Sequence, residues 1–104
     1  METKSTTILI VAPEGVPREL VAKYLERCRS GFPLLEAAIC QNQYDDARVL
    51  GHRMKGTGAP YGFVRLTEIG ALIEQAAANR NSRALREHVA VLAEYLSSVE
   101  ITGE

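Results

Sequence analysis

Apolar residues recur three and four positions apart along most of the chain, and the places where that rhythm breaks divide it into segments. Leu20, Val21, Tyr24, Leu25 and Cys28 share one helical face, and Leu34, Leu35, Ala38 and Ile39 carry the spacing on to Cys40. Pro17 suits a first helical turn, whereas Pro33 must kink the helix or restart it with Ser30 as a cap. Residues 17–41 are therefore expected to form one arm, kinked near Pro33. Asn42 and Gln43 make a brief turn, and a second helix is predicted from about Tyr44 to Gly58, stopped by Pro60. Beyond Gly62, the stripe Leu66, Ile69, Gly70, Ile73, Ala76 and Ala77 predicts a third helix. Residues 79–82 form the next turn. Leu85, Val89, Leu92, Leu96 and Val99 then mark the buried seam of a fourth helix.

Two short segments depart from helical spacing. Thr6 to Ala12 is β-branched and apolar before Pro13-Glu14-Gly15 breaks it, and Val99 to Thr102 alternates apolar with polar. The ends of an up-down bundle lie close together, so these segments are expected to pair. Four helical arms joined by short turns predict an all-α fold, an antiparallel up-down four-helix bundle over about residues 17–99. A chain of 104 residues suits one domain, 1–104, and can bury roughly two-thirds of its unfolded surface without a disulfide or metal.

Composition narrows the function classes. A formal net charge of −1 and the absence of Trp speak against a nucleic-acid partner. The longest N-terminal apolar run, Ile8 to Ala12, is too short for a signal-peptide core, and nothing approaches a membrane span, so a cytoplasmic protein without membrane contact is expected. Cys28 and Cys40 lack CxxC spacing and are read as reduced, buried thiols. Neither His52 nor His88 belongs to a metal-ligand cluster, so no metal site is assigned. His88 borders the apolar seam of the fourth helix and is read as structural. No GxxxxGK loop or dinucleotide-binding glycine pattern occurs, and the chain carries no visible means of binding ATP.

The second helix differs from the others. Ala47, Leu50 and Met54 form its inward stripe, and His52 falls about 200° around from Leu50 at 3.6 residues per turn. The imidazole is therefore expected to face water, on a strip with Asp45, Arg48, Lys55, Gly56 and Ala59. Gly51 and Gly56 each cost up to about 1 kcal/mol relative to Ala inside a helix. Close helix packing accounts for Gly51. Gly56 points outward, where its use is clearance around the histidine ring. Gly58 is inexpensive if the helix ends there. A neutral imidazole is a good nucleophile near pH 7, and Lys55 disfavours the imidazolium while offering a hydrogen bond to phosphoryl oxygens. Phosphoryl transfer normally needs a metal and an acidic pocket, and no such pocket is visible near His52; Asp45 and Asp46 are assigned to the helix start. A division of labour follows: this chain supplies the nucleophile and a partner supplies Mg²⁺ and carboxylates.

The run His52-Arg-Met-Lys55-Gly56-Thr-Gly-Ala-Pro-Tyr-Gly62 resembles the histidine-containing phosphotransfer (HPt) domain, whose pattern is H-x-x-K-G followed by small residues and a further glycine. Residues 61–70 and Glu74-Gln-Ala-Ala are also similar to bacterial members. The resemblance implies phosphorylation of His52 at Nε2, phosphoryl stabilisation by Lys55, and docking clearance at Gly56. It also implies a tight passage into the next helix at Gly62. Arg48 and Ala59 share the docking face. The implied partners are a response-regulator receiver domain and a sensor or hybrid histidine kinase. The implied role is that of a phosphoryl carrier, not an enzyme, with Mg²⁺ held in the partner receiver and no cofactor bound stably here. Pro60 departs from the family's usual glycine or small polar residue, which bears on how far the helix extends past the site. The alternatives are an HPt-shaped adaptor that binds without phosphotransfer and an assembly helper that dimerises through its terminal strands.

Overall fold

The computed structural model describes residues 7–102. Its elements run β1 (Ile8–Ile10), α1 (Arg18–Cys40), α2 (Tyr44–Thr57), a short 3-10 helix (Ala59–Tyr61), α3 (Val64–Ala78), α4 (Ser82–Ser98) and β2 (Val99–Ile101). The helices form a bundle in which α1 meets α2 and α4, and α3 lies between α2 and α4. β1 pairs with β2 in parallel, Ile8 opposite Val99 and Ile10 opposite Ile101, and the Thr102 amide donates to the Ile10 carbonyl. The strand expected from Thr6 to Ala12 is thus shorter than its β-branched run, and Thr6 itself lies outside the described residues.

The core follows the apolar rhythm with identifiable exceptions. The stripe on α3 is buried as predicted, and Leu85, Val89, Leu92 and Leu96 of α4 are buried with it. On α1, however, Leu20 and Leu34 are exposed while their neighbours Val21 and Leu35 are buried. Adjacent residues diverge by about 100° on a helix, so an apolar pair presents only one member fully to a narrow seam. Cys40 is also exposed, at the end of α1, instead of lying in the core; Cys28 is half-buried. Phe63 and Tyr95, which the periodicity did not assign, are buried.

Pro33 does not restart α1 at Ser30: the helix is continuous through it. Pro17 caps that helix from just outside. At the far end of the chain, Arg29 donates to the carbonyls of Leu96 and Val99, tying α1 to the last turn of α4 and to β2. Arg18 reaches the carbonyls of Ile101 and Thr102. The Asn81 side chain accepts from the Ala84 amide at 3.0 Å, satisfying one of the free donors at the start of α4.

Candidate functional site

The site grows out of the contact between α2 and α3, the most extensive between any two helices of the bundle. Two glycines make it possible. A Cβ on Gly70 would stand 2.5 Å from the Lys55 amide nitrogen and 2.8 Å from the Gly51 carbonyl oxygen. A Cβ on Gly51 would stand 2.7 Å from the Glu74 nitrogen. The backbones therefore meet where side chains would hold them apart, and the residues one turn beyond, Lys55 on α2 and Glu74 on α3, become neighbours. Gly58 serves the same contact: although it does cap α2, its Cβ would lie 2.8 Å from the Phe63 oxygen and the Thr67 nitrogen. Thr67 completes the seam, donating to the Lys55 carbonyl at 3.0 Å and accepting from the Ala59 amide at 2.8 Å.

His52 stands on the outer face of α2 with its side chain 68% exposed. Its Nδ1 lies 2.9 Å from Glu74 Oε2, and the Lys55 Nζ lies 3.3 Å from Glu74 Oε1. One carboxylate thus binds both groups. The hydrogen bonds from His52 and Lys55 hold the Glu74 carboxyl below its usual range, against the opposing effect of desolvation. An ionised carboxylate only accepts hydrogen bonds, so His52 Nδ1 must donate. In the neutral ring the lone pair then sits on Nε2, which has no protein partner among the described residues.

The other strip residues lie where the helical projection puts them. Asp45, Arg48, Lys55, Gly56 and Ala59 are all exposed, and a Cβ on Gly56 would meet nothing within 4 Å. Arg48 forms no ion pair or hydrogen bond among the described residues. Past the site the chain tightens into the 3-10 helix that contains Pro60, so α2 ends at Thr57, before the proline. Gly62 follows at φ +96°, a left-handed conformation that glycine adopts without a Cβ penalty, and α3 begins two residues later. His88 is half-buried on α4 and joins none of these contacts.

Sequence periodicity missed Glu74. It lies on α3, 22 positions from His52, and its apolar neighbours made it look like part of an ordinary amphipathic helix. The usable signal was the pair of interior glycines: Gly51 and Gly70, once placed face to face, set Lys55 and Glu74 each four residues further along.

The family model of the Hpt domain matches residues 19–101. The chain belongs to the Hpt domain family. Hpt domains are phosphocarrier modules that take part in histidine phosphotransfer within phosphorelays, interacting there with receiver domains and histidine kinases. No match was found among curated proteins or among solved structures. Among the described residues no helix is long and apolar enough to cross a membrane.

Proposed function

We propose that His52 is the phosphoryl carrier of this Hpt domain, taking the group at Nε2 from a receiver-domain aspartyl phosphate, or from a sensor kinase, and passing it to another receiver aspartate. The observation that carries this reading is the bridging carboxylate of Glu74, which fixes the His52 ring by Nδ1 and leaves Nε2 facing solvent.

The transfer balances with these groups. The Nε2 lone pair attacks phosphorus, the acyl P–O bond breaks, and the aspartate carboxylate leaves with the electron pair. The ring keeps its Nδ1 proton and gains positive charge as the N–P bond forms. Glu74 stands against that charge, and stabilisation aimed at developing charge is what favours a transition state. Lys55 is half-exposed, and its bond to Glu74 at 3.3 Å is long for a charge-assisted contact. Its flexible stem lets the ammonium turn from the carboxylate to the phosphoryl oxygens. Gly56 leaves the approach open, with Arg48 and Ala59 on the same docking face. The reading assigns Mg²⁺ to the partner's acidic site; among the described residues no three His, Cys, Asp or Glu side chains cluster to hold a metal.

Incubation with a radiolabelled phospho-receiver tests the proposal. Acid-labile label on the parent chain, absent from His52→Gln, is the expected result. Equal labelling of His52→Gln would reject His52 as the carrier, and tight receiver binding with no labelling of either chain would indicate a non-transferring adaptor.

A further inference from the structure

The glycine-mediated approach of α2 to α3 has a consequence on the opposite side of α2. Drawn toward α3, α2 meets α1 much less extensively. Between them lies a cleft of about 350 Å³, within the size range of small-molecule sites. Phe32, Leu35, Leu50 and Met54 give it apolar walls. Tyr24 and Thr57, whose hydroxyls are hydrogen-bonded to each other at 2.8 Å, add polar atoms to one side.

Charge at this cleft is one-sided. Arg27 of α1 and Arg53 of α2 both line it, no carboxylate does, and neither guanidinium forms an ion pair or hydrogen bond among the described residues. Two other clefts, of about 300 and 390 Å³, lie between α1 and α4 and between α1 and β2, but the arginines lining them are occupied. Arg29 is bound to the Leu96 and Val99 carbonyls, and Arg18 to those of Ile101 and Thr102. Of these three clefts, the one between α1 and α2 joins apolar walls to guanidinium groups that have no protein acceptor among the described residues.

We infer that the cleft between α1 and α2 binds a small amphipathic anion, with its apolar body against Phe32, Leu35, Leu50 and Met54 and its acidic head between Arg27 and Arg53. A planar guanidinium matches a carboxylate or phosphate in paired hydrogen bonds, and a ligand head group at the mouth keeps its charge in contact with water. A purely apolar ligand would leave both arginines unused, and a cation would be repelled by them.

Decanoate is a suitable probe, followed through the amide signals of isotopically labelled full-length protein. Saturable shifts centred on Cys28, Gly31, Leu50 and Met54 are expected, with no saturable response to decyltrimethylammonium. Arg27→Ala combined with Arg53→Ala should weaken binding by roughly tenfold or more, the scale of losing charge-assisted bonds to the head group. Gly31→Leu supplies a variant that fills the cleft without threatening the fold. Gly31 lies inside α1, a Cβ there meets nothing within 4 Å, and leucine is the better helix former. It should abolish the saturable shifts. Absence of saturation with decanoate, equal affinity for the cationic probe, or an unchanged affinity in the double arginine variant would each overturn the inference. So would a Gly31→Leu protein that slows exchange with a receiver domain while decanoate binds no form of the chain, since the cleft would then accept a protein segment.

Discussion

The Glu74 carboxylate lies 2.9 Å from His52 Nδ1, although the two residues belong to different helices. Because the hydrogen bond made by one ring nitrogen selects which nitrogen carries the proton, Glu74 leaves the lone pair of the neutral ring on Nε2, the edge used in the proposed transfer. Glu74→Ala should shift the neutral ring toward the Nε2–H form, visible in the imidazole nitrogen resonances, and slow phosphoryl transfer by roughly tenfold. Glu74→Gln retains a neutral acceptor for Nδ1–H and should fall between the parent and Glu74→Ala. A parent-like tautomer and rate in Glu74→Ala would remove Glu74 from the site.

The same contact links stability to acid. Glu74 is held below the usual carboxyl range, first by its hydrogen bond to His52 and then by Lys55. For a carboxyl depressed on folding, the unfolded chain takes up its proton first as pH falls. The contribution is therefore complete above the unfolded-state pKa and disappears as pH drops through the folded one. Chemical denaturation at a series of acidic pH values should show a shallower loss of stability in Glu74→Gln than in the parent. Parallel profiles would contradict the coupling.

Gly70 is predicted to be intolerant even of alanine. Alanine would gain up to about 1 kcal/mol of helix propensity. Against that, its Cβ would sit 2.5 Å from the Lys55 amide nitrogen, and backbone atoms cannot rotate away as a side chain can. Overpacking of this kind typically costs about 1–3 kcal/mol, so the clash should outweigh the propensity gain by up to about 2 kcal/mol. Gly70→Ala should lower the melting temperature by up to roughly 15 °C. It should also slow transfer, because pushing α3 from α2 carries Glu74 away from His52. A thermally unchanged variant would show that the helices need not approach so closely.

The helices were legible in the chain because each buries one stripe, and the α3 stripe from Leu66 to Ala77 is the clearest instance. His52 was legible for the converse reason: its displacement from the inward stripe placed it in water. What the rhythm did not decide was rotation within an apolar pair. Leu20 with Val21 and Leu34 with Leu35 satisfy the same pattern, and packing against the neighbouring helices selects the buried member. Nor did it reveal Glu74, whose place in the site depends on two helices meeting glycine to glycine. Periodicity reports the face of one helix; the partner of that face is a tertiary fact.

In the proposed transfer, Gly56 separates the demands of folding from those of docking. Gly51, Gly58 and Gly70 are required by neighbouring backbone, whereas a Cβ on Gly56 meets nothing within 4 Å and the residue is exposed. Folding therefore gives no reason to avoid a side chain there, and any other residue except proline would raise helix propensity, leucine by nearly 1 kcal/mol. Gly56→Leu should leave the chain as stable as the parent or slightly more so, measured by thermal denaturation. It should nevertheless block phosphoryl exchange, since the isobutyl group would project from the turn beside His52 into the space a receiver domain must occupy. Gly56→Ala, with a single methyl, should retain most of the exchange. If Gly56→Leu transfers at the parental rate, the open approach to the ring is not what this glycine provides.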